Sequence, residues 1–462
     1  MSDKAPQPRD TSLDALRGLA VLGMVLSGHI AFGGAGDGVL PAWMYHAQLP
    51  PPAHRYLPTL AGLTWVDLVF PLFLFALGAA IPLAMGRLAE KVAHRQGRAW
   101  SGTSAVLKVA LRRFALLLFL ALFFQHLKPS FVATTTLAVW SQPLALLGLL
   151  ALALAYGPQR LAWRALGWAL AIGLLLVLRQ ADGTAAFALK RSDIILVVLA
   201  NMALFATLLW WWTRHHPVWR WALLVPLALL LYGGKAPDSV NAWLLQSSPA
   251  PWAVQIAYLK YLFIVLPGTV VGERMEHEAR FGTAPAPAPV AWLGLVSAAV
   301  VVGVLAGLQA REVPLTLLMA GFASALLAWR SPGLRPAIGL LMVGLLLEPL
   351  EGGIRKDGLN LSYVLTTAGL SWLSLAALRA LGERRWGAGC LAVLAGPGRN
   401  AVLAYVLGAL GVMPLLHLSG LHDAWAALSG NAFEAVLRGV LFTAAVAVIV
   451  ALANRRGWVL KA

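Results

Sequence analysis

The side chains of this chain that could do chemistry are few. They are Asp14, Arg17, His29, His46, His54, Asp67, Lys260, Glu348, Lys356 and Asn400, all at or within apolar runs. Histidine takes up and returns a proton near neutrality or attacks as a nucleophile, and a neighbouring carboxylate orients it and stabilises its cation. His46 and His54 lie in a segment rich in proline, YHAQLPPPAHRYLPTLAG, and Asp67 lies one turn inside the apolar run that follows. A charge there costs roughly 2.5 to 3.5 kcal/mol unless it is paired or used. A solvated side chain is the ordinary state of a loop histidine, but a costly carboxylate next to it points to function. Acyl transfer and proton-coupled transport both want a titrating His and Asp at a water-filled mouth, and the residues alone leave both open.

Other chemistries find no support. The chain has no Walker loop, GxGxxG, HExxH, GxSxG or CxxC, which removes phosphate-loop, dinucleotide, zincin and serine-hydrolase readings. The single cysteine, Cys390, excludes an intramolecular disulfide framework, and no metal is expected. His215 and His216 are adjacent without a third ligand and read as interfacial anchors. The formal charge of +17 is spread in short basic clusters between apolar runs, which suits membrane orientation and not nucleic acid.

The elements that must position these groups are membrane helices. The 462 residues are 60% hydrophobic and 12% charged, with a mean hydropathy of +0.75. The expected fold is all-α, a polytopic transmembrane bundle of about 11 to 14 spans in one domain, residues 1–462. Most Lys and Arg fall in alternate turns, which places the N-terminus in the cytoplasm. Residues 1–12 then form a cytoplasmic tail before a retained first helix with no signal peptide. Residues 32–63 form an external loop carrying His46 and His54, and residues 233–255 form a second one. Polar groups interleaved with tryptophan there suit a sugar, so Trp243, with Lys356 on the same side, is a candidate acceptor contact.

Finer expectations follow. Asp14 and Arg17 share a helix face and can form a local ion pair. Glycines 18, 23 and 28 allow close helix approach. Pro71 and Pro82 are expected to kink the second helix, and Pro267 with Gly268 to break a later one. Residues 87–113 read as a basic loop, Trp210 to Trp221 as an aromatic belt, and the residues before GPGRN as a loop.

Four blocks, SLDALRGLAVLGMVL, GLTWVDLVFPLFLFALGAAIP, NLSYVLTT and GPGRNAVLAYV, resemble the heparan-alpha-glucosaminide N-acetyltransferase family and its bacterial relatives in the DUF5009 group. The second block is the most specific, and FIVLPGTVVGE is a fainter match. The resemblance implies a polytopic enzyme that takes an acetyl group from cytoplasmic acetyl-CoA, as co-substrate, to an amino sugar or glycan on the far side. In the family an active histidine followed by alanine precedes the GLT-VDLVFP block, which makes His46 the matched position. Here His46 stands sixteen residues before Gly62 and His54 eight, a longer gap than the family's. His29 is a third choice, one residue farther from Arg17 than the spacing of acyltransferase-3 proteins.

On that reading His46 acts as base or transient acetyl carrier and Asp67 orients it. Asn400 would donate to the thioester oxygen, and Arg17 would hold CoA phosphates. The partners expected are acetyl-CoA, a sugar or glycan acceptor and membrane lipid, with a second copy of the chain left open, in a bacterial inner membrane. The rival reading is a proton-coupled transporter of a small solute.

Overall fold

The computed structural model describes residues 10–31, 40–96, 99–281, 291–356 and 358–460, without the side chains of 93–101. Most of the expected tail, the first part of the histidine loop (32–39) and the Ala-Pro segment 282–290 lie outside the described residues. In order the helices are α1 (Thr11–Ser27), α2 (Trp65–Gln96), α3 (Ala99–Leu127), α4 (Pro129–Val132), α5 (Ser141–Tyr156), α6 (Leu161–Val177) and α7 (Ile194–Thr213). Then come α8 (Val218–Gly233), α9 (Val240–Gln246), α10 (Leu262–Phe281), α11 (Ala291–Gln309), α12 (Val313–Arg330) and α13 (Arg335–Leu347). The last are α14 (Leu361–Gly382), α15 (Arg385–Arg399), α16 (Ala401–Leu407), α17 (Met413–Leu418), α18 (His422–Ala426) and α19 (Ala432–Arg455). Among the described residues there is no strand, only isolated bridges. Nine helical segments there are long and apolar enough to cross a membrane, with three shorter apolar helices beside them. The chain is a polytopic helical membrane protein, because a backbone in lipid must satisfy its polar groups within the helix.

The centre of the bundle is α2 and α14, which have the largest buried shares of the spanning windows, 72% and 78%. Helices gain little from hydrophobic burial against each other in lipid, so close packing through small residues takes over. A Cβ on Gly18 would fall on the Leu394 carbonyl oxygen, and one on Gly398 on that of Asp14. Helices α1 and α15 therefore touch backbone to backbone. Gly78, Gly268 and Gly272 do the same for α2 and α10, where added Cβ atoms would meet the carbonyl oxygens of Val265, Phe75 and Ala79. Gly23 faces the Val69 side chain. Only Gly28 of the three N-terminal glycines meets nothing closer than its own helix.

Several expectations need correcting. The segment from Arg87 to Arg113 is not a loop, since α2 continues to Gln96 and α3 starts at Ala99; strong helix formers carry both helices past the apolar stretch. Pro267 does not break α10, which runs past it from Leu262 to Phe281 after a 3-10 lead-in at Ile256–Tyr261; its missing N–H costs the helix one bond, that to the Phe263 carbonyl. Gly268 is a contact, not a hinge. The segment before Asn400 is helix α15, an amphipathic helix laid on α1. In the aromatic tract, Trp212 and Trp219 are exposed, but Arg220 and Trp210 are buried. The Arg220 guanidinium is chelated by Glu273 and also donates to Thr213 and Thr269, while Trp210 Nε1 donates to Glu273 at 2.8 Å. A buried cation is tolerable only with such complete pairing.

The glycine contacts order two substitutions. Gly18→Ala drives a methyl into a backbone carbonyl and should cost about 3 kcal/mol or more, whereas Gly23→Ala meets a side chain 2.6 Å away that can turn, and should cost about 1 kcal/mol. Thermal unfolding in detergent checks the order, and equal losses would contradict the α1–α15 crossing.

Candidate functional site

Thr64 is the residue before α2 and Asp67 its third, so the Thr-x-x-Asp spacing builds half a capping box. The Thr64 N–H donates to Asp67 Oδ2 at 3.0 Å, and the Thr64 hydroxyl lies 3.1 Å from the same oxygen and 2.8 Å from the Tyr45 carbonyl. The Ala47 N–H reaches Oδ2 from the loop at 3.2 Å. With this shell and a position in the first helical turn, the carboxylate can be buried with 0% exposure. Its other oxygen, Oδ1, takes no aligned hydrogen bond, and Nε2 of His46 stands 3.1 Å from it. The other ring nitrogen, Nδ1, accepts the Gln48 N–H at 3.1 Å. An acceptor at Nδ1 puts the neutral ring's proton on Nε2, turned toward the carboxylate. The His46 side chain remains 15% exposed, so a ligand can reach it.

Helix α14 supplies the floor. Pro71 has no N–H, so the helical partner of the Asp67 carbonyl, four residues earlier, is missing. The Tyr363 hydroxyl fills that place at 3.0 Å. Upstream, the N–H groups opening α14 are satisfied by Asn360, which accepts from Tyr363 N, and by Glu351, which accepts from Leu361 N and Ser362 N. Glu351 also pairs with Lys235, and Glu348 with Arg311 at 2.8 Å. The same loop grips the histidine segment, because Gly62 N donates to the Ile354 carbonyl at 2.9 Å.

The other candidates are placed elsewhere. His54 packs edge-on against Tyr45, with ring centroids 4.6 Å apart, while the partners of Asp67 are His46, Ala47 and Thr64. His29 stacks on Phe442 at 3.6 Å, with Nδ1 on the Val25 carbonyl. Arg17 forms the expected ion pair with Asp14 at 3.1 Å and makes a long contact to the Ala76 carbonyl. Ala76 is nine residues beyond Asp67, about 14 Å farther along α2. Arg399 of the GPGRN block also binds Asp14, at 3.3 Å. Asn400 is buried beside Arg399, and its amide group donates to Asn454 Oδ1 and the Trp458 carbonyl and accepts from Leu460 N. Both of its N–H bonds are thus committed to the C-terminal segment, and neither Asn400 nor Arg17 meets His46. Trp243 is exposed on α9, and Lys356 sits two residues past Ile354.

The four sequence blocks therefore meet in pairs at opposite ends of the bundle. GLTWVD joins NLSY at the Asp67 end, and SLDALRG joins GPGRN at the Asp14 end. Sequence reasoning missed Gln48, Thr64 and Tyr363. Two signals for them were present: the Thr-x-x-Asp spacing, and a proline four residues after Asp67. Four cavities lined by described residues, of about 390 to 500 Å³, lie elsewhere and include neither His46 nor Asp67.

The shell around Asp67 oxygens makes Asp67→Asn costly. An amide nitrogen would face N–H donors, and unfolding in detergent should show a loss of about 2 to 4 kcal/mol. Glu351 gives a pH signature. Burial pushes its carboxyl up, but the Lys235 ammonium and the N–H groups of Ser362 and Leu361 outweigh it and hold the group below its ordinary value of 4.5. A carboxyl depressed in the folded state stabilises above the ordinary value, and this contribution is lost as pH falls through the folded one. Glu351→Gln should be less stable at neutral pH and converge with the parent in acid; parallel curves would refute the pairing.

Comparison with known proteins adds the family. No curated protein matches the chain. Residues 9–275, more than half of the chain and including α1, the His46–Asp67 pair and the first two-thirds of α10, match the family described as a domain of unknown function, DUF5009. The chain belongs to the DUF5009 family.

Proposed function

We propose that the protein is a membrane-embedded acetyltransferase in which His46, held by Asp67, is the general base for transfer of an acetyl group from acetyl-CoA to an amine, with an amino sugar or related glycan as acceptor. The observation that carries this reading is the His46–Asp67 pair itself: a single neutral tautomer, a carboxylate behind Nε2, and a basic nitrogen, Nδ1, that accepts a backbone N–H. Such a neutral bond contributes about 1 kcal/mol, which an incoming amine N–H can displace. The amine nitrogen bonds to the acetyl carbon as the carbon–sulfur bond breaks. His46 Nδ1 takes the amine proton, Asp67 stabilises the imidazolium, and the proton returns to the leaving thiolate. The balance is amine plus thioester to amide plus thiol.

The polar groups near the pair favour an acceptor rich in donors. Gln48 Oε1 and Gln309 Oε1 are buried and accept no hydrogen bond among the described residues. They cluster about Gly62: Gln48 Nε2 reaches the Gly62 carbonyl, and a Cβ on Gly62 would lie 3.4 Å from Gln309 Oε1. Each bare acceptor costs roughly 1 to 3 kcal/mol, which a water or an amine with several N–H bonds relieves. At the Asp14 end, Arg17 and Arg399 both bind one carboxylate, and guanidinium groups gathered there suit CoA phosphates. On this reading the N-terminus is cytoplasmic in a bacterial inner membrane, and the thioester must travel the depth of α2.

The test is thiol release by the purified protein given acetyl-CoA with glucosamine, wall-sugar fragments or simple amines. Acceptor-dependent release, lowered at least ~100-fold in His46→Ala and unchanged in His54→Ala, is the expected result. Proton-driven solute uptake into liposomes with no thiol released would replace this reading by the transporter.

A further inference from the structure

The NLSY block has no role in the chemistry above, yet it meets the site at one point. We infer that Tyr363 is a positioning residue for the His46–Asp67 pair, acting through the Asp67 backbone, and this inference rests on the acetyl-transfer reading.

Pro71 creates the need for such a residue. A proline inside a helix leaves the carbonyl four residues earlier without its N–H partner, and in α2 that carbonyl belongs to Asp67, the residue whose side chain faces His46. An unsatisfied buried carbonyl lets the helix turn bend or take up water. Either would move the Asp67 Cα, and with it the carboxylate. Tyr363 is a buried residue, 1% exposed, and its hydroxyl donates to that carbonyl at 3.0 Å and closes the gap from another helix.

Tyr363 is itself rigidly held. Its N–H is bound by Asn360 Oδ1 at 3.0 Å, and its carbonyl accepts the Thr367 hydroxyl at 2.7 Å. The preceding residues Leu361 and Ser362 are anchored on the buried Glu351 carboxylate. From the same loop the Ile354 carbonyl holds Gly62 N, two residues before Thr64. The segment from Glu351 to Tyr363 thus fixes both the backbone of Asp67 and the strand of loop that delivers Thr64 to the carboxylate. An aligned carboxylate is worth having only if the imidazole must be charged in turnover, which is why the hydroxyl matters for rate and not only for folding.

Tyr363→Phe removes the hydroxyl and leaves the packing. The expected result is a kcat about tenfold lower with KM for the amine within ~2-fold, together with a pH profile displaced toward lower pH, because a less well-placed carboxylate stabilises the imidazolium less. Adding Pro71→Ala restores a helical N–H for the Asp67 carbonyl, so the double variant should run within ~2-fold of Pro71→Ala alone. An independent arm needs no acetyl donor: carbethoxylation of His46 against pH, followed by mass spectrometry, should shift its midpoint downward in Tyr363→Phe and return in the double variant. If the parent protein releases no thiol, the acetyl-transfer reading fails while the labelling arm still decides this one. Unaltered kinetics, pH profile and labelling midpoint in a folded Tyr363→Phe overturn it. A loss in Tyr363→Phe that Pro71→Ala does not relieve also overturns it, since the effect would then not pass through the Asp67 carbonyl.

Discussion

A carboxylate with no solvent contact at the start of a membrane helix is the constraint on which the rest of this structure depends. Asp67 is tolerated because the backbone N–H groups of Thr64 and Ala47, and the Thr64 hydroxyl, converge on one of its oxygens, at the end of α2 where the helix dipole favours negative charge. The loop that carries His46 is therefore pinned by the residue it serves. The Ala47 N–H that binds Asp67 is next in sequence to the imidazole facing its other oxygen. Satisfying the acid and placing the base are one structural act.

Burying that acid obliges a second helix to come close. Pro71 frees the Asp67 carbonyl, and α14 answers it with a hydroxyl, so α2 and α14 become the enclosed centre of the bundle. The opposite end repeats the logic with another buried acid: Asp14 is buried, and Arg17 and Arg399 approach it from two helices. Glycines at α1–α15 and α2–α10 bring the backbones into contact and remove room for adjustment. Polar groups at the two ends thus set which helices neighbour one another, and small residues set how near they come.

The resemblance of four separate blocks to one family gains physical sense from this pairing. GLTWVD and NLSY, nearly three hundred residues apart, share the Tyr363–Asp67 bond, and SLDALRG and GPGRN share the Asp14–Arg399 pair and the Gly18–Gly398 crossing. Family membership extends over residues 9–275. The partners of its first two blocks lie beyond that range, in helices that complete the sites begun there.

The sequence by itself determined the class of the protein, since 60% hydrophobic residues in recurrent runs leave a helical membrane bundle as the outcome. It also marked Asp67 by the cost of its burial, His46 by its neighbours, and the Asp14–Arg17 pair by helical spacing. Helix ends were less legible: α15 and the long reach of α2 and α3 were hidden because charge and glycine in those stretches read as loop, although helix formers packed on a neighbour carry the fold through them. Only the tertiary structure decided that His46, not His54, meets Asp67, and that Tyr363 closes a carbonyl opened by Pro71. It also decided that Asn400 belongs to the C-terminal segment, far from the imidazole. Those outcomes depend on which side chains arrive from distant parts of the chain, and spacing along one helix carries no information about what faces it.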